Sequence, residues 1–254
     1  MATKEHLSDD LDELRARLRR AALLTSGAGI GFGVLASLAW LLLRVDSRSR
    51  TDSGDPFGYI QDEGLGAATL AGMYLLPFAA ILFLWFIVAL RGWTRASQRR
   101  RNMLISDLQL VSGVAFVGVF LVGGGALATS LVVAGSEDGE LVSESLRTLS
   151  AFGNTLMVVM GVRMAGIFVL ATSTLGMTTG VLPRWFNLLG YVFGVLLMLA
   201  PVVEDALSLA FPIWVIALSV ALLYHLANVP SDALPGFAAR YMEEGGDVPP
   251  AIKD

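Results

Sequence analysis

The chain of 254 residues is 55% hydrophobic and only 16% charged, with a mean hydropathy of +0.66 and a formal net charge of −4. Soluble domains carry roughly 25% charged residues, so this balance excludes an ordinary water-soluble fold and directs attention to apolar runs long enough to cross a bilayer. The absence of cysteine removes disulfides, thiolate metal sites, iron–sulfur clusters and cysteine nucleophiles.

Residues 1–20 are polar, but Leu7, Leu11, Leu14 and Leu18 recur at helical spacing. Asp9, Asp10, Asp12 and Glu13 precede Arg15, Arg17, Arg19 and Arg20, the order that the helix dipole favours. This pattern predicts a cytoplasmic amphipathic helix lying on the membrane surface; two heptads are too few for a coiled coil. The first span follows at about 21–43 and reads as a retained anchor, since its apolar core is too long for a secretory signal. A polar loop with five acidic residues leads to a second span at about 66–90, where Pro77 is expected to introduce a kink. The basic segment 91–101 follows, and then a third span at about 108–134.

An acidic loop containing Glu137, Asp138, Glu140 and Glu144 precedes the fourth span, about 149–174, which carries Arg163. The fifth and sixth spans are expected at about 186–203 and 207–227, with Glu204 and Asp205 at the turn between them. Residues 228–254 form a proline-rich tail. The predicted architecture is therefore all-α: a polytopic membrane bundle of about six helices over 21–227. With the N-terminus inside, the inner segments hold 13 of the 18 Lys and Arg residues and the outer loops 4, so both termini are expected in the cytoplasm.

Small residues mark expected helix contacts. Gly27, Gly29, Gly31 and Gly33 make two overlapping GxxxG spacings in the first span, and Gly190 and Gly194 make another in the fifth. Glycine allows two helix backbones to approach closely, which drives packing where lipid offers no hydrophobic gain. Packing within the chain is the simpler expectation, and a homo-oligomer or partner face is the alternative. The run Gly123-Gly124-Gly125 is not a nucleotide loop, because no strand precedes it. Arg95, Arg99, Arg100 and Arg101 could meet anionic lipid headgroups, and they also fix topology.

Arg163 is the most informative single residue, because charges within spans are costly and rare. It could snorkel toward the inner headgroups. The reading adopted is that it faces the bundle interior. There its donors would meet backbone carbonyls freed by a helix break, a hydroxyl such as that of Thr174, water, or an anionic ligand entering from the cytoplasmic side. Asp107, at the inner end of its span, and Glu204 and Asp205, at the outer turn, stand too far along the bundle to pair with it. No zinc-binding HExxH, no GxSxG elbow and no pair of intramembrane aspartates is present. His6 precedes the first span, so two membrane histidines cannot hold a haem. No metal, cofactor, catalytic residue or nucleic-acid partner is expected. His225 at a membrane boundary needs no special role.

The stretch from Gly166 to Thr174, followed by Gly180-Val-Leu-Pro-Arg-Trp-Phe-Asn-Leu-Leu-Gly190-Tyr-Val-Phe-Gly194, resembles a signature of poorly characterised bacterial multi-span proteins grouped as a domain of unknown function. In those proteins a span ends in small residues, and a Pro-Arg-Trp turn opens the next. The likeness covers about residues 160–225. It implies a multi-span fold and no particular activity. The functional expectation is a non-enzymatic accessory or scaffold subunit of the inner (plasma) membrane that contacts lipids. The alternative is a small transporter or channel with a site near Arg163.

Overall fold

The structure, a computed structural model, describes residues 20, 23–43, 67–96, 103–134, 143–180, 182–199 and 205–227. The expected N-terminal amphipathic helix, apart from Arg20, and the C-terminal tail lie outside the described residues. Among the described residues there is no strand, and six helices follow one another. They are α1 (Leu23–Leu43), α2 (Ala67–Ala96), α3 (Met103–Ala134), α4 (starting at Ser143 and ending at Thr179), α5 (Arg184–Leu199) and α6 (Asp205–Ala227). Four of them, α1 to α4, are long and apolar enough to cross a membrane. The protein is a transmembrane all-α bundle.

Several helices outrun their expected limits. α2 runs to Ala96 and passes through Pro77 without a break in the helix. α3 begins at Met103, five residues before the expected start. This extension carries Asp107 to the Arg91 guanidinium, and the resulting ion pair joins α2 to α3. α4 is longest. Ser143–Thr155 is α-helical, Leu156–Gly161 forms a π-helical turn, and Val162–Thr179 is α-helical again. α5 is short: 16 residues, or about 24 Å at 1.5 Å per residue. Its described part reaches Leu199, and the expected residues 200–203 lie outside the described residues.

The junction between α4 and α5 explains its sequence. Gly180 sits at φ 71°, the left-handed region natural to glycine, and its N–H closes on the Gly176 carbonyl at 3.0 Å. The Pro183 carbonyl then accepts the N–H groups of Phe186 and Asn187 to start α5. Buried Asn187 ties the turn together by donating Nδ2–H to the Leu182 carbonyl at 3.2 Å.

Phenylalanines from five helices meet at the centre: Phe32 from α1, Phe83 from α2 with Phe86 stacked beside it, Phe116 from α3, Phe168 from α4 and Phe211 from α6. Phe83 is the hub. Its ring centroid lies 4.5 Å from Phe32, 5.3 Å from Phe116, 5.4 Å from Phe168 and 5.5 Å from Phe211. Most of these pairs are tilted or edge-to-face, the arrangement favoured by ring quadrupoles. α5 joins through Phe186 and Phe193, both stacked on Trp214. The outward faces carry Tyr74, Phe78, Trp85, Leu188, Leu189 and Val192, all exposed, as a lipid-facing surface requires.

Candidate functional site

The small residues of the first span are largely spent inside the bundle. A Cβ added to Gly29 would stand 2.1 Å from Ser219 Oγ of α6 and 2.8 Å from the Phe86 ring of α2. At Gly33 it would meet Ile216 at 2.3 Å and the Pro212 carbonyl at 2.8 Å, and at Gly31 it would meet Leu82 at 2.9 Å. Gly27 differs: nothing lies within 4 Å of such an atom. Gly190 packs on Ser173, and Gly194 packs on Leu170 and on the Gly166 carbonyl. Gly123 and Gly153 form a matching crossing between α3 and α4, each facing the other's carbonyl.

A band of buried polar groups gathers at the end of the bundle marked by Arg91 and Asp107. Gln109 Nε2 donates to Thr172 Oγ1 at 2.8 Å, and Thr172 in turn donates to the Phe168 carbonyl. Ser112 caps back onto the Gln109 carbonyl. Ser26 Oγ, Ser106 Oγ, Gln109 Oε1 and Asn187 Oδ1 are buried with no hydrogen-bond partner among the described residues. Sequence reasoning missed this band. Its signal was Ser106, Gln109 and Ser112 at intervals of three, a polar stripe on one face of an otherwise apolar span.

The Gln109–Thr172 bond also sets the depth of Arg163. Asp107 lies two residues from Gln109 toward that end, so it stands level with Thr174. From Thr174 to Arg163 is eleven residues, or about 16 Å along the helix. A hydrocarbon core is roughly 30 Å thick, so the Arg163 backbone sits near its middle. The residue is half-buried, and its Nη1 donates to the Val159 carbonyl at 2.7 Å. Val159 belongs to the π-helical turn, where the ordinary ladder of carbonyls is interrupted.

The snorkelling alternative for Arg163 is not what the structure shows, and neither is the expected contact with Thr174. The guanidinium does not reach toward the Arg91–Asp107 end. It reaches back one turn toward the helix N-terminus, as the tilt of every helical Cα–Cβ bond dictates. Nor does Thr174 join it. The Thr174 hydroxyl donates to the Leu170 carbonyl at 2.8 Å and accepts from Tyr191 Oη at 2.9 Å, about three turns away from Arg163.

Leu170 and Gly166 fix what stands beside Arg163. Leu170 packs on Gly194, while Gly166 packs on Gly194, Leu197 and Met198, so this face of α4 belongs to α5. Arg163 is seven residues from Leu170 and therefore shares its face. One turn beyond Gly166, it comes level with the end of α5 at Leu199. Glu204 lies outside the described residues. Of the expected headgroup arginines, Arg95 falls within the α2 backbone with its side chain undescribed, and Arg99, Arg100 and Arg101 lie outside the described residues. Among the described residues no cluster of metal-binding side chains occurs.

No family model, curated protein or solved structure matches this chain.

Proposed function

We propose that the chain is a non-enzymatic accessory or scaffold subunit of a bacterial inner (plasma) membrane, with both termini in the cytoplasm and with lipids among its partners. The observation that supports this reading best is the phenylalanine cluster. Five rings from five helices fill the bundle centre at mid-depth. A transport route through the middle would need polar or mobile groups at that depth. Apart from Arg163 and Ser130, the buried polar groups described collect at one end, and most of the glycine stripes serve contacts within the chain. The Pro-Arg-Trp turn keeps kinship with the poorly characterised multi-span family open as part of this proposal.

The transporter alternative remains attached to Arg163, and one experiment separates the two. The purified chain is reconstituted into liposomes loaded with pH- and potassium-sensitive dyes. A scaffold leaves both gradients as slow to decay as in protein-free vesicles. Protein-dependent decay that Arg163→Gln abolishes would replace the scaffold reading with transport. Orientation is tested separately with reporter fusions: outside signals are expected near residues 55 and 140, and inside signals near 98 and 240. An outside signal at 98 overturns the topology.

A further inference from the structure

We propose that Gln109, Asn187 and Ser106 bind a small cluster of buried water between α3, α4 and α5, at the Arg91–Asp107 end of the bundle. The site goes beyond the scaffold reading and does not depend on it.

The hydrogen bonds fix which atoms face the site. The single Thr172 hydroxyl proton goes to the Phe168 carbonyl, so Thr172 Oγ1 can only accept from Gln109. The Gln109 amide must therefore turn its NH2 group to Thr172 and its Oε1 away. A carbonyl likewise only accepts, so the bond to Leu182 turns Asn187 Nδ2 that way and leaves Oδ1 on the other side. That oxygen lies over Gly176, where an added Cβ would stand 2.2 Å from it. Gln109 Oε1, Asn187 Oδ1 and Ser106 Oγ have no hydrogen-bond partner among the described residues, and all three residues are at most 1% exposed.

The three oxygens are neighbours. Thr172 and Gly176 lie one turn apart on one face of α4, about 6 Å along the helix. α3 runs antiparallel to α4, with Gln109 on Thr172 and Gly123 on Gly153. Ser106, one turn before Gln109, therefore comes to the level of Gly176. Gln109 itself sits six residues, about 9 Å, inside the start of α3 at Met103. Leu182, 6% exposed, lines the same spot above Gly176 and is the side chain that gives way as water enters.

Their chemistry selects the occupant. Amide oxygens can only accept, so the occupant must donate. A buried acceptor without a donor loses its hydration with no return. A buried water makes hydrogen bonds to several polar groups at once, and the two amide oxygens and the Ser106 hydroxyl supply them. An anion would meet acceptors. A bare metal cation would need a balancing charge, and Asp107, the described carboxylate at this end, is paired with Arg91. Toward the bundle centre the site ends on the phenylalanine hub: Phe168 lies one turn from Thr172 on α4, and Phe116 two turns from Gln109 on α3.

The test is X-ray radiolysis of the full chain in micelles, in which water bound inside a protein generates hydroxyl radicals where it sits, with oxidation mapped by mass spectrometry. Leu175, next to Gly176, and Leu197, toward the other end of α5, are both at most 1% exposed, which shields them from radicals formed in bulk water. Wild type is expected to oxidise Leu175 severalfold faster than Leu197. The double variant Gln109→Leu, Asn187→Leu should lower the Leu175 rate to that of Leu197. A variant that fails to fold exposes itself by oxidation of Leu197 and Phe83; Ser106→Ala then takes its place and should lower the Leu175 rate while Leu197 stays protected. Equal rates at Leu175 and Leu197 in wild type overturn the proposal, as does an unchanged Leu175 rate in a folded variant. A higher Tm in sodium chloride than in choline chloride, lost in Gln109→Leu, would assign the site to a cation and overturn the water assignment. None of these failures touches the scaffold reading, which falls only if the liposomes leak.

Discussion

Gly27 and Gly33 lie six residues apart on the same helix, and the structure gives them opposite signs under the same substitution. Alanine adds one methyl group at each. At Gly27 that atom meets nothing within 4 Å. The remaining effect is the lower backbone entropy of alanine, worth roughly 0.5–1 kcal/mol in a helix interior, so Gly27→Ala should stabilise. At Gly33 the new atom would stand 2.3 Å from Ile216 Cγ1 and 2.8 Å from the Pro212 carbonyl. A side chain can turn aside; a carbonyl in the middle of α6 cannot. Overpacking of this kind costs about 1–3 kcal/mol. Offset by the helix gain, Gly33→Ala should destabilise by about 0.5–2 kcal/mol. Unfolding in mixed micelles, followed by tryptophan fluorescence or circular dichroism, reads both variants against wild type. Changes of the same sign and size would refute close packing of α1 on α6. Leu38→Ile, on a side chain 43% exposed toward lipid, is the neutral control.

The aromatic hub gives a second contrast. Phe83→Ala removes a side chain with no exposed surface and should cost about 3–5 kcal/mol. Trp85→Ala, two residues on and 71% exposed, should cost less than about 1 kcal/mol in the same unfolding assay. A double-mutant cycle on Gln109→Leu and Thr172→Val should give a coupling of about 0.6–1.7 kcal/mol, the range for polar contacts between membrane helices. A coupling of zero would place the two groups apart.

Apolar run length made the number and order of the helices legible, because a bilayer imposes one length scale on every span. Ends were less legible. Arg91 and Asp107 read as boundary charges, yet they pair with each other, and both helices continue past them. Glycine spacing pointed to Gly29, Gly31 and Gly33 but could not tell Gly27 from them, since spacing names a face and not its neighbour. Arg163 stood out for its cost in lipid, but counting residues alone could not give the direction of its side chain. Gln109 passed unnoticed because an amide carries no charge, although its burial organises the polar band. The π-helical turn left no mark in composition; Leu156–Gly161 is an ordinary apolar string.

Its reason is geometric and lies in the match between α3 and α4. α3 presents Gln109, Phe116 and Gly123 at intervals of seven, a nearly straight seam. Against it α4 sets Thr172 on Gln109, Gly161 near Phe116 and Gly153 on Gly123. In an uninterrupted α-helix, Gly153 and Thr172 are nineteen steps apart, and at 100° per step they would point about 100° away from each other. Eighteen steps would make five whole turns and align them. A π-helical turn accommodates one extra residue, so the segment Leu156–Gly161 absorbs the surplus and lets one face of α4 follow α3 along the whole helix. Deleting Val158 should then be tolerated: the turn relaxes to regular α-helix, Gly153 and Thr172 keep their alignment, and micelle unfolding shifts by less than about 1 kcal/mol. Deleting Ile167 from the regular segment rotates Thr172 away from everything before it by about 100° and should abolish the folded bundle. If the Val158 deletion does as much damage as the Ile167 deletion, the turn is not a phase correction.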